Sequence, residues 1–304
     1  VAELIDLAQA SGGAKTHIAH FHGESKLLSA LLDKASDAGV PMTFDSYPYL
    51  RGCSLLAMVS LPTWLPLADP IATLDLIAND EETKTKLLGH LATLDDLWPR
   101  TTLGWADGYD WVAGLTIPEI AAKMGVTPAQ AALELLVGTK LKASCVFEQP
   151  PTNSQASVMA LADRPEHIAG SDAIYVPFEA AGRPHPRGWG ALVRWLKLKV
   201  APWEAAQQEQ TEAGWTWAEA VEHLSTRAVR RFGLGQRGKI EVGAIADLVV
   251  VNPARLADTA TYEHPRSLAT GIDDVWVAGR QVLKGGELTG ETPGSGLRWE
   301  GNSR

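Results

Sequence analysis

The order helix, strand, helix, strand within residues 2–47 constrains the fold of this 304-residue chain more than any other feature. A helix over Ala2–Ala10, with Leu4, Ile5 and Ala8 on one face, stops at Gly12-Gly13. A strand over Lys15–Phe21, a helix over Ser25–Ala38 closed by Gly39, and a strand over Met42–Tyr47 ended by Pro48 follow. Strands joined through a helix by short connections run parallel, because a parallel pair needs a crossover. The chain opens at Val1, already in helical pattern and without Met, so residues upstream are expected.

The stretch 61–141 is rich in Pro, Trp and Leu and reads as a helical insertion on this βα scaffold, with helices over Asn79–Leu94, Ile117–Met124 and from Thr127-Pro128 to Val137. A strand over Ala143–Phe147, a helix over Ser154–Ala162 and a strand over His167–Ser171 come next. Helices are expected over Ala191–Lys199, Trp217–Leu224 and Arg227–Phe232. After Gly233 the pattern changes to short strands: Lys239-Ile240, Ala246–Val251, Val275–Ala278 and Gln281–Leu283. The α/β part therefore spans 1–235 and a small β part 236–304. A net charge of -9 argues against nucleic acid and anionic membrane as partners. No apolar run approaches the roughly 18 residues of a membrane helix. Two cysteines are too few for a disulfide framework and fit a reducing, cytoplasmic compartment.

Chemistry-bearing residues gather at the strand ends. In Lys15–His22 the period-two alternation puts His20 and His22 on one face and turns His17 toward the helices. The second strand runs into Asp45-Ser46-Tyr47-Pro48-Tyr49 and then Cys53, a pocket rim or a Tyr-rich turn packed on the insertion. The third ends in Gly170-Ser171-Asp172, where Asp172 is a ligand, a proton shuttle or a helix N-cap. Two prolines stiffen the loop that carries His185 and Arg187, and Arg187 suits a carboxylate.

Taken in order, Ile18-Ala19-His20, Asp45-Ser46-Tyr47-Pro48-Tyr49, Gly170-Ser171-Asp172, His185-Pro186-Arg187 and the run Arg237–Val250 resemble the N-acyl-D-amino-acid deacylases (D-aminoacylases) of the amidohydrolase superfamily. Tyr262–Pro265 and Gly271–Gly279 resemble the same branch. The resemblance implies an α/β fold: the C-terminal strands of a partial (β/α)8 TIM-like barrel, with the closing part of a β-sandwich. It also implies hydrolysis of the linear amide of an N-acyl-D-amino acid, a small-molecule substrate, with one or two zinc ions. His20 resembles a zinc-ligating His. Asp172 resembles a metal-bound Asp that holds the attacking water, takes its proton and passes it to the leaving nitrogen. Tyr47 and Arg187 resemble the residues that grip the substrate carboxylate, with His185 beside them. His22 and Cys53 stand where the family often has Lys and Ser, which weakens the grip or alters the substrate. The first-strand His-x-His of such enzymes is missing, so the chain reads as strands six to eight and the fragment alone as inactive. A hydantoinase- or dihydroorotase-like cyclic amidohydrolase, a D-residue dipeptidase and an inactive truncated remnant are the alternatives.

Overall fold

The computed structural model describes residues 1–209 and 214–297, without the side chains of residues 202–209. The expected alternation is present as α1 (Ala2–Ala10), β1 (Thr16–Ile18), α2 (Ser25–Asp37) and β2 (Met42–Ser46). Next come β3 (Arg51–Leu55), α3 (Leu56–Ser60), α4 (Pro70–Asn79), α5 (Glu81–Leu91), β4 (Thr101–Trp105), α6 (Ile117–Met124), α7 (Pro128–Gly138) and β5 (Ser144–Glu148). Then come α8 (Gln155–Ala162), β6 (His167–Ala169), α9 (Arg187–Glu209), α10 (Trp217–Val221) and α11 (Arg227–Phe232). The chain closes with β7 (Leu248–Val251), β8 (Ile272–Val277), β9 (Arg280–Lys284) and β10 (Glu287–Leu288).

β1, β2 and β6 form one parallel sheet in the order β1-β2-β6. Alternation along β2 decides what each face does. Met42 and Phe44 are buried with Ile5 and Ala8 of α1, Leu32 and Ala35 of α2 and Leu161 of α8. Thr43 and Asp45 take the opposite face. A second core, with Trp195, Val200, Trp215 and Ala220, covers β6 from α9 and α10. Helix α10 passes through a π-helical turn, Glu222–Thr226, into α11.

The stretch 61–141, expected to be helical, also holds the strand β4. β3, β5 and β4 make an antiparallel sheet in that order, packed on α3–α7 through Leu56, Ile77, Leu87, Trp98, Leu103, Ile117 and Leu135. The helix expected over Asn79–Leu94 is α5, which starts at Glu81 because the Asp80 side chain caps it by accepting from the Thr83 amide; α4, before it, was not expected. Helix α9 starts at Arg187, four residues before the expected Ala191. The C-terminal strands form a single antiparallel sheet, β10-β9-β8-β7. Lys239-Ile240 is not a strand, and Ile240 stands 90% exposed. Among the described residues no single helix is long and apolar enough to cross a membrane.

Candidate active site

Two left-handed residues build the site. β1 ends at Ile18 and β6 at Ala169, short of the expected Phe21 and Ser171. Just beyond them His20 (φ 55°) and Asp172 (φ 47°) leave extended geometry. An L-residue in this region is strained by about 1–2 kcal/mol. The strain here reverses the chain and brings two side chains together over the strand ends. The strand alternation that placed His20 and His22 on one face therefore does not reach them. His17, still within β1, is corrected as well. Ile18 packs toward the helices, while His17 lies on the Asp45 face, pairs with Asp45 Oδ2 (2.9 Å) and Thr43 Oγ1 (2.8 Å), and meets the Phe232 ring edge-on.

Asp45 locks the His20 turn. Its Oδ1 accepts the His20 amide at 3.0 Å while Oδ2 engages His17. Burial would raise the Asp45 carboxyl, but these hydrogen bonds outweigh it and the group titrates below the usual carboxylate range.

Asp172 is the hub. His20 Nε2 lies 2.9 Å from Oδ1 and Arg187 NH1 2.6 Å from Oδ2. Arg187 is the first residue of α9, where the helix dipole disfavours a cation. Asp172 supplies the compensating charge, and the guanidinium also lies 4.8 Å over the Tyr47 ring. Arg187 is 3% exposed, and its Nε is buried without a hydrogen-bond partner among the described residues.

Tyr47 is buried and joins the remaining candidates. Its ring centroid lies 4.2 Å from that of His22, 6.2 Å from His20 and 6.4 Å from His185. Burial pushes its hydroxyl up to about 12. His22 accepts the Tyr47 amide at Nε2 (3.3 Å), and burial lowers its pKa to about 4, so it stays neutral and does not restore the charge of a lysine. The Cys53 thiol is raised by burial, against the opposing pull of Arg187. His185 is committed to the backbone: Nδ1 accepts the Arg187 amide (3.0 Å) and Nε2 donates to the Arg51 carbonyl (3.1 Å). It braces the start of α9 against β3 and has no ring nitrogen left for a substrate. All seven side chains singled out in the sequence thus lie in one neighbourhood. Three that were not singled out join them: Asp45, Gln149 and Asn153. Asp45 opens the Asp-Ser-Tyr-Pro-Tyr motif and shares the His17 face of β2, which is the signal that could have found it. Gln149 and Asn153 follow β5 and carry no motif.

A profile of the amidohydrolase family matches residues 67–283. The chain belongs to the amidohydrolase family. It is 31% identical over 198 residues to an N-acyl-D-aspartate deacylase of Alcaligenes xylosoxydans xylosoxydans, a match covering 65% of this chain and 36% of that one. The structure of D-aminoacylase, described as defining a novel subset of amidohydrolases, superposes with a TM-score of 0.67 at 25% identity, over 95% of this chain and 51% of that one. The N-acyl-D-glutamate deacylase of Bordetella bronchiseptica, complexed with zinc and a phosphonate inhibitor, superposes with a TM-score of 0.66 at 24% identity, over 92% of this chain and 49% of that one. The chain thus spans about a third to a half of the length of these relatives.

The donors present suit zinc in type but not in number. One imidazole and one carboxylate converge at His20 and Asp172, whereas a catalytic zinc takes about three protein ligands. Among the described residues no group of three or more His, Cys, Asp or Glu side chains is placed to hold a metal ion.

Proposed function

We propose that this chain supplies the strand-six-to-eight portion of the active site of a zinc-dependent barrel amidohydrolase that hydrolyses the amide bond of N-acyl-D-amino acids. The observation that carries the reading is the placement of Asp172 between His20 and Arg187. In this reading residues 1–235 belong to the barrel and 236–304 to the small β domain. His20 and Asp172 would hold the ion, with further donors that the described residues do not supply. Zinc, when bound, supplies Lewis acidity toward the amide carbonyl.

The chain's own residues do the rest. Asp172 takes a proton from the attacking water and delivers it to the amide nitrogen, which leaves only once protonated. Arg187, held by Asp172 and by the Tyr47 ring, presents its unpartnered Nε to the substrate carboxylate. Fixing the carboxylate at Arg187 and the amide at Asp172 sets two substituents of the substrate Cα, so that a third contact, to the substrate side chain, would tell one hand from the other. The test is hydrolysis by the zinc-loaded full-length protein of N-acetyl-D-amino acids, their L-enantiomers and hydantoins. Turnover of the D-amides alone supports the reading. Ring opening of hydantoins without D-amide turnover would replace it with that of a cyclic amidohydrolase.

A further inference from the structure

A chain of three polar side chains runs behind the site, and each hydrogen bond in it has a defined direction. Gln149 Nε2 donates to the Tyr47 hydroxyl oxygen at 3.1 Å. Asn153 Nδ2 donates to Gln149 Oε1 at 2.5 Å. Asn153 is 4% exposed, and its Oδ1 is buried with no partner of its own. The order is Asn153 amide to Gln149, then Gln149 amide to the Tyr47 oxygen.

The direction has a chemical result. The Tyr47 oxygen is occupied as an acceptor by Gln149, so its own proton is left to donate elsewhere. It stands beside the Arg187 guanidinium, whose Nε is likewise an unpartnered donor. The Tyr47 hydroxyl and the Arg187 Nε are thereby two donors without an acceptor, and an anion, which accepts and cannot donate, is the group that satisfies them.

We propose that Gln149 and Asn153, on the segment that follows β5, are positioning residues that fix the Tyr47 hydroxyl as a donor and so make the pocket selective for a carboxylate over its uncharged carboxamide. The proposal deepens the deacylase reading and rests on it for the identity of the ligand. Specificity for the acid is then set by two residues of the segment after β5, not by the strand ends that carry the chemistry.

The test exchanges one atom. Gln149→Glu keeps the size of the side chain but turns the donor facing Tyr47 into an acceptor, so the hydroxyl proton swings away from the pocket. Binding of N-acetyl-D-alanine and of N-acetyl-D-alaninamide is measured by calorimetry on the zinc-loaded full-length protein, for the wild type, Gln149→Glu, Tyr47→Phe and the double variant. The expected result is a wild-type preference for the acid that falls by about 10- to 100-fold in Gln149→Glu. Most of the drop should be lost when Gln149→Glu is made on Tyr47→Phe, because no hydroxyl is left to redirect and only repulsion by the new carboxylate remains. An unchanged acid-to-amide ratio, no preference in the wild type, or an equal drop in the Tyr47→Phe background overturns the proposal; the last outcome would trace the drop to the charge of the new carboxylate and not to the hydroxyl. Selective binding of the acid without its hydrolysis would refute the deacylase reading and leave the positioning role standing.

Discussion

Asp172→Asn separates what Asp172 does for the fold from what it does for the chemistry. The Arg187 side chain is 2% exposed and that of Asp172 24%, so the pair is mostly shielded from water. Removing one partner of a buried pair costs about 3–5 kcal/mol, because the other charge is left without a counter-ion. The partial exposure of Asp172 puts the loss at the low end, and the Tyr47 face still offers the guanidinium about 1 kcal/mol. The expected loss is about 2–3 kcal/mol, a fall in Tm of roughly 5–10 °C. Urea unfolding followed by circular dichroism measures it. The double variant Asp172→Asn/Arg187→Met removes both charges and should recover most of the stability, since an apolar replacement of a buried pair is close to neutral. Turnover should not recover: kcat is expected to fall by on the order of 100- to 10,000-fold in both variants, because neither has a proton carrier. An unfolding midpoint for Asp172→Asn equal to wild type would show that Arg187 does not depend on Asp172. A double variant as unstable as the single one would show that the loss is not electrostatic.

Arg187→Lys keeps the charge but loses the planar fork, so kcat/KM for an N-acyl-D-amino acid should drop by about 10- to 100-fold through KM; an unchanged value with a lowered Tm would reduce Arg187 to a brace of α9. His223 is stacked on Trp215 and meets His167 and Arg227, with Lys199 nearby; burial first, then Arg227, lowers its pKa to about 3. The unfolded chain therefore binds more protons below about pH 6.5, and stability should fall from that pH down toward 3, by up to about 1.4 kcal/mol per pH unit for each buried histidine. Urea melts at several pH values should show a shallower slope for His223→Gln, and an equal slope would remove this histidine from the acid response. At Gly190 an added Cβ would fall 1.8 Å from Asp258 Oδ1, in a group that also holds Tyr49 and Arg194, so Gly190→Ala should cost about 1–3 kcal/mol in a thermal melt. With two convergent donors, the 304-residue chain should retain less than one equivalent of zinc after dialysis, as read by atomic absorption; a full equivalent would show that another side chain, such as His22, completes the site.

The sequence made the parallel sheet legible because its signals are local: glycines closing α1 and α2, and alternation in Met42–Ser46. It made the site residues legible because they stand in short motifs at strand ends. Two things escaped it. The antiparallel sheet β3-β5-β4 depends on pairing Arg51–Leu55 with Ser144–Glu148 across a long stretch of intervening chain, and no local pattern encodes such a partner. The orientation of His17 and His20 depended on where β1 stops. Alternation predicts faces only while the backbone stays extended, and the positive φ at His20 ends that regime two residues after Ile18. Gln149 and Asn153 were invisible for a related reason, since their roles come from what they face and not from what flanks them.

The two positive-φ residues also set a limit on how this protein can be improved. The His20 side chain is half exposed, so little packing holds it, and a glycine there would release about 1 kcal/mol or more of backbone strain. A library sorted for heat resistance alone should therefore enrich Gly or Asn at position 20 and discard the histidine. Stability screening and catalytic screening would pull this position in opposite directions, and a thermostable variant selected without an activity filter should be expected to have lost it.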